Sequence, residues 1–254
     1  MNKIQELFKR KKENILSIYF TAGFPKLEDT ARILNELVTS GVDMIEIGIP
    51  FSDPLADGPV IQHSSEVALK NGMTLKLLFE QLSKTSHLQT PTSALLLMGY
   101  LNPILQFGIE KFCKQASELG ISGVIVPDLP MDEYLADYKK IFDKYDLKNI
   151  FLITPHTSEQ RIRMIDTHSD GFIYMVSSAS TTGVQSGVDA EKEKYFKRIK
   201  DMKLKNPLMV GFGIADKSSF SKACEYANGA IIGSAFIKHL ELGGPIAPFI
   251  KQLR

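Results

Sequence analysis

The stretch Asp43 to Pro59, DMIEIGIPFSDPLADGP, decides how the chain is read. Its first half alternates as a strand does, placing Ile45, Ile47 and Ile49 on one face and Met44, Glu46 and Gly48 on the other. A carboxylate therefore interrupts a face that should be packed. Burying that group unpaired costs on the order of several kcal/mol, so Glu46 must be hydrogen-bonded, protonated, or turned to a polar cavity where a ligand can meet it. Past a loop punctuated by Pro50, Pro54, Gly58 and Pro59, Asp57 closes an acidic cluster begun by Asp53. Turn chemistry accounts for part of that loop's Asp, Pro and Gly content and leaves open whether Asp57 serves the turn or a ligand. Two carboxylates, one on a strand and one on a loop, could divide acid and base roles.

Working outward, apolar runs of the same kind recur along the chain: Ile15 to Phe20, Asp43 to Ile49, Ser93 to Tyr100, Gly123 to Val126, Ile150 to Thr154, Gly171 to Val176, Leu208 to Phe212 and Ala230 to Gly233. Helical periodicity fills the intervals: Leu27 to Ser40, Ile61 to Lys84 with a break at Asn71-Gly72, Ile109 to Leu119, Met131 to Tyr145, Glu159 to His168, Ala190 to Leu204, Lys217 to Tyr226 and Phe236 to Leu240. Strand runs without clear polar alternation indicate burial on both faces, as in a parallel sheet flanked by helices. Eight such units in 254 residues predict an α/β fold, a closed (β/α)8 TIM barrel, with the charged amphipathic segment MNKIQELFKRKKEN as an extra N-terminal helix. A doubly wound sheet is the alternative, and it more often uses five or six strands. No linker shows a composition shift, so residues 1–254 are expected to form a single domain.

The composition narrows function. The 30 basic and 29 acidic residues nearly cancel, and no basic stripe interleaved with aromatics appears, which argues against nucleic acid as a partner. Cys113 and Cys224 lack the paired spacing of a zinc site or a disulfide framework. The N-terminus lacks the apolar core of a signal peptide, and no apolar run approaches the ~20 residues that span a bilayer. A cytoplasmic location without membrane contact is expected.

In a barrel the chemistry gathers just after the strands. Here those positions hold Thr21-Ala22-Gly23-Phe24-Pro25, the acidic loop, Asn102-Pro103, Pro127-Asp128-Leu129-Pro130 and Pro155-His156. The last three strands are followed by the glycine-bearing turns Ser177 to Gly183, Gly211-Phe212-Gly213 and Gly233-Ser234. Glycine lets backbone N–H groups approach an anion closely, and a helix starting at Ser234 would aim its positive end at the same spot. Phosphate is the ligand these turns suggest, gripped by amides and hydroxyls, since no lysine or arginine sits in them. No strand interior carries a lysine for a Schiff base. His63, His87, His156, His168 and His239 lack metal-ligand spacing, so no metal is expected. Cofactor-free acid-base chemistry on a phosphorylated substrate remains.

From Tyr19 to Lys238 the chain resembles the tryptophan synthase α subunit family. The resemblance rests on Ile45 to Pro59, IEIGIPFSDPLADGP, with Tyr100-Leu101-Asn102-Pro103, Pro127-Asp128-Leu129-Pro130, Gly211-Phe212-Gly213-Ile214 and Gly233-Ser234-Ala235 in support. It implies reverse-aldol cleavage of indole-3-glycerol phosphate to indole and glyceraldehyde 3-phosphate. By that resemblance Glu46 supplies and removes protons, and Asp57 holds the indole N–H. Gly183, Gly213, Gly233 and Ser234 hold phosphate, with Thr182 and Gly211 beside them, while Tyr19, Met98, Tyr100, Tyr174 and Phe212 line the indole pocket. It further implies an αββα assembly contacted through Asp53, Pro54, Asn102, Asp128 and Pro130, with pyridoxal phosphate carried by the β subunit and no cofactor in this chain. The sequence departs from the family at Gly23-Phe24-Pro25, where Gly-Asp-Pro is usual, and at Ser180-Thr181-Thr182-Gly183, where Gly-Val-Thr-Gly is usual. The rival readings are a non-catalytic barrel that regulates a β-type partner and another phosphate-binding barrel isomerase.

Overall fold

The computed structural model describes residues 1–85, 92–176, 188–211 and 213–254. Eight strands close a barrel in sequence order: β1 (Ile15–Thr21), β2 (Met44–Gly48), β3 (Ala94–Met98), β4 (Ile121–Ile125), β5 (Lys148–Ile153), β6 (Ile173–Val176), β7 (Leu208–Gly211) and β8 (Gly229–Ile232). Neighbours are parallel, and β1 completes the ring against β8. The strands are buried along nearly their whole length, as the missing alternation predicts for a sheet covered on its outer face by helices and filled within. This is the (β/α)8 barrel expected from the sequence.

The helix Lys3–Arg10 is the extra N-terminal element. Asn2 caps it by accepting from the Ile4 amide at 3.0 Å, while the Asn2 Nδ2 donates to the carbonyls of Ser122 and Asp146 at 2.8 and 2.6 Å. Its apolar face buries Ile4, Leu7 and Phe8, and Ile4 lies against Gly123 of β4. Each such side chain withdrawn from water stabilises the fold by about 2 kcal/mol.

Two helices depart from the sequence reading. Leu101–Phe107, expected to be loop around Asn102-Pro103, is helical, and so is Ile246–Gln252 beyond the last predicted element. Both carry their proline, Pro103 or Pro248, at the third helical position, where an amide would lack an intrahelical partner in any case. The predicted helix Met131 to Tyr145 is interrupted by a π turn at Tyr134–Tyr138. Strand β5 begins earlier than its apolar run, at Lys148, whose ammonium pairs with Asp146 and Asp170 at 3.1 and 2.9 Å. A lysine thus does occupy a strand, at the end remote from the β5 to α loop. Among the described residues no helix is long and apolar enough to cross a membrane.

Candidate active site

The C-terminal mouth of the barrel opens on a cavity of about 450 Å³. Its walls include Tyr19 of β1, Met98 at the end of β3, Tyr174 of β6 and Asp57 from the loop after β2. Gly213, Gly233 and Ser234 close the side formed by the turns after β7 and β8. Two tyrosine rings lie over the neighbouring strand because that strand carries no side chain at the contact. A Cβ on Gly48 would stand 2.2 Å from the Tyr19 hydroxyl, and one on Gly211 would stand 2.2 Å from that of Tyr174. Gly211 therefore sits behind Tyr174 and is not among the cavity's lining residues.

Glu46 has no exposed surface. In the register of β1 and β2 it stands opposite Tyr19, while Ser17 stands opposite Met44, two residues nearer the strands' N-terminal ends. The Ser17 hydroxyl donates to Glu46 Oε1 at 2.8 Å, and Oε2 is buried with no hydrogen-bond partner among the described residues. The carboxyl is thus drawn back behind the cavity wall that Tyr19 forms. Burial pushes its pKa from 4.5 up to about 8, with the Ser17 hydrogen bond opposing part of that rise. At neutral pH Glu46 holds its proton.

Asp57 is almost fully buried, yet it lines the cavity. Its amide donates to the Pro54 carbonyl at 3.0 Å, so the residue does serve a turn. Its side chain is engaged separately: the Tyr100 hydroxyl donates to Oδ2 at 2.9 Å and accepts from the Ala56 amide at 3.0 Å. The Tyr100 ring stacks on Phe51 with centroids 4.9 Å apart, which pins both ends of the acidic loop to the end of β3. Tyr100 thus meets the site through Asp57. Burial raises the Asp57 pKa to about 6, against the Tyr100 hydrogen bond that lowers it. Both carboxylates raise the pKa of the Tyr19 and Tyr174 hydroxyls electrostatically, after burial itself, so the four groups share one field.

A chain of hydroxyls fixes Tyr19. Its Oη lies 3.3 Å from Thr21 Oγ1, which lies 2.6 Å from Ser64 Oγ on the helix Pro59–Lys70. At the other side of the cavity, Gly233 leads into the helix Ser234–Glu241, whose first amides lack intrahelical acceptors. Thr182, Gly183 and Phe212 lie outside the described residues. Ser17 and Lys238 were not singled out by sequence reasoning. Ser17 is a small hydroxyl residue inside the apolar run of β1, and Lys238, which lines the cavity, stands four residues after Ser234 on the same helix face.

The residues expected at a partner contact share one side of the mouth, on the segments after β2, β3 and β4. Asp53, Asn102, Asp128 and Pro130 are exposed and Pro54 is half-buried. Asp128 Oδ1 accepts from the Leu101 amide at 2.9 Å and so caps the helix that carries Asn102. Leu55 and Leu105, on the same segments, are 79% and 42% exposed.

Fold and site together define a (β/α)8 barrel of the kind whose functional groups gather at the C-terminal mouth, here one buried carboxylate, Asp57, in a cavity closed by glycine-rich turns and a second, Glu46, buried behind its wall. Residues 5–245 match the family described as Tryptophan synthase alpha chain. The tryptophan synthase alpha chain of Flavobacterium johnsoniae is 57% identical over 256 residues, covering all of both chains, and that of Parabacteroides distasonis is 57% identical, covering 100% of this chain and 98% of its own. Among solved structures, the tryptophan synthase alpha chain of Legionella pneumophila superposes with a TM-score of 0.84 at 34% identity, covering 100% of this chain and 95% of that one. A tryptophan synthase of M. tuberculosis in its aminoacrylate-bound form gives 0.86 at 26% identity, covering 100% and 98%. The chain belongs to the tryptophan synthase alpha chain family.

Proposed function

We propose that this chain, as a single cytoplasmic barrel domain, cleaves indole-3-glycerol phosphate to indole and glyceraldehyde 3-phosphate in tryptophan biosynthesis. The observation that carries the reading is the cavity itself: an aromatic and thioether wall with a buried carboxylate on one side and the turns after β7 and β8 on the other. Flat apolar surfaces suit an indole ring, and free amides at a helix start suit a phosphate.

In this reading the Asp57 carboxylate accepts the indole N–H and stabilises the positive charge that builds on the ring. The Glu46 carboxylic acid turns from Ser17 toward the ring and gives its proton to C3: the O–H bond breaks and a C–H bond forms. The resulting carboxylate takes the proton from the hydroxyl on the side-chain carbon attached to C3. That oxygen closes to an aldehyde, the carbon-carbon bond breaks, and its electron pair restores the aromatic ring. Protons and electrons balance, and one carboxyl serves as acid and then base. A pKa raised by burial suits a group that must carry its proton at neutral pH and release it to carbon.

The face formed by Asp53, Pro54, Asn102, Asp128 and Pro130, with exposed Leu55 nearby, supports docking of a tryptophan synthase β subunit in an αββα assembly. Pyridoxal phosphate belongs in this reading to that subunit. Indole release from indole-3-glycerol phosphate, measured with and without a tryptophan synthase β subunit, tests the proposal. Indole is expected in both cases, and none in either would overturn it.

A further inference from the structure

The turns that would hold phosphate contain no cation, yet a phosphate monoester carries close to two negative charges at neutral pH. Amides and a helix start supply partial charges only. The cavity wall contains one basic side chain among its described lining residues, Lys238. It lies in the second turn of the helix Ser234–Glu241, four residues after Ser234, which lines the same cavity. Helical side chains lean toward the N-terminus of their helix, the direction in which Ser234 and Gly233 lie, and all three residues line the same cavity. Lys238 is exposed at the rim and makes no ion pair with any described residue, whereas Lys70, Lys76, Lys139 and Lys144 are all matched to carboxylates.

We infer that Lys238 completes the anion site: its ammonium supplies the full charge the glycine turns lack and makes the cavity selective for a phosphate monoester over the same molecule without phosphate. The inference rests on the reading of the cavity as a phosphorylated-substrate site. An ammonium at a solvated rim is a mobile point charge, so it adds binding without fixing the geometry that the amides set. Lys238 is then a binding residue that acts on ground state and transition state alike, felt in KM and not in kcat.

The test uses the full chain and two probes, a non-cleavable indole alkyl phosphate and the corresponding indole alkyl alcohol, with Lys238→Met and Lys238→Arg. K238M should bind the phosphate about three- to tenfold more weakly, the range of a charge-assisted contact at a partly exposed site, and bind the alcohol as wild type does. K238R should recover most of the loss, and the salt dependence of phosphate binding should be shallower in K238M than in wild type. With indole-3-glycerol phosphate, KM should rise by the same factor at unchanged kcat. Equal weakening for both probes, or none for either, overturns the inference while wild-type selectivity for the phosphate leaves the wider reading standing. A wild-type chain that binds both probes alike overturns both.

Discussion

Replacing Glu46 with Gln should change how the fold's stability responds to pH, and the size of the effect follows from burial. The Glu46 carboxyl is pushed from 4.5 to about 8 because burial opposes its charged form, and the Ser17 hydrogen bond offsets only part of that. A group whose proton affinity rises on folding holds its proton more tightly in the native state. Its contribution to stability is therefore complete below the unfolded value of 4.5 and is lost progressively as pH climbs to about 8. At about 1.4 kcal/mol for each pH unit, that gap corresponds to about 5 kcal/mol, an upper bound reached if the ionised carboxylate stays on Ser17. Gln cannot ionise, and its amide oxygen still accepts from Ser17, so the variant escapes this cost. For a chain of this size each kcal/mol moves the thermal midpoint by roughly 2–4 °C, and E46Q should gain on wild type by up to roughly 10–20 °C between about pH 5 and pH 9. Calorimetry of both proteins in half-unit pH steps measures the gain directly. A midpoint difference that stays constant across the interval would refute the claim that Glu46 is buried and proton-bearing in the native fold.

Cleavage itself should follow a bell-shaped pH profile, requiring Asp57 ionised above about 6 and Glu46 protonated below about 8. Asp57→Asn should abolish the acid limb and lower kcat about a hundredfold, as loss of a charge-stabilising group does; a variant with an unchanged acid limb would remove Asp57 from the account. Because the Ser17 hydrogen bond lowers the Glu46 pKa, Ser17→Ala should move the basic limb of the steady-state profile upward by about half to one pH unit. Ser17→Cys, a weaker donor in the same space, should fall between the two, and a limb that does not move in either variant would show that Ser17 does not govern Glu46.

The barrel was legible because hydrophobic periodicity is a local signal: each β-branched run followed by an amphipathic stretch reports one βα unit. The interrupted face at Glu46 was legible for the same reason, since a carboxylate at an inward position needs an explanation of its own. What the sequence obscured were relations between distant segments. The helices that carry Pro103 and Pro248 went unread, because a proline's effect depends on whether it falls in a first turn, and that is set by where the helix begins. Lys148 hid the start of β5, since its partners Asp146 and Asp170 stand on separate loops and only the fold joins them. At the site, Tyr100 reads as a pocket wall, whereas its hydroxyl and ring tie down the loop that carries Asp57. Gly211 reads as an anion contact, whereas its missing side chain makes room for Tyr174. Ser17 emerges only from the register of β1 against β2.

The most direct test of the central claim is a single-turnover experiment in which excess E46Q chain is mixed with indole-3-glycerol phosphate and both bound substrate and free indole are followed. Glu46 as proton donor and acceptor predicts substrate bound with near wild-type affinity and indole release slower by several orders of magnitude, on the order of the 10²–10⁴ that each general acid or base step supplies. Release at the wild-type rate from the bound substrate would contradict it.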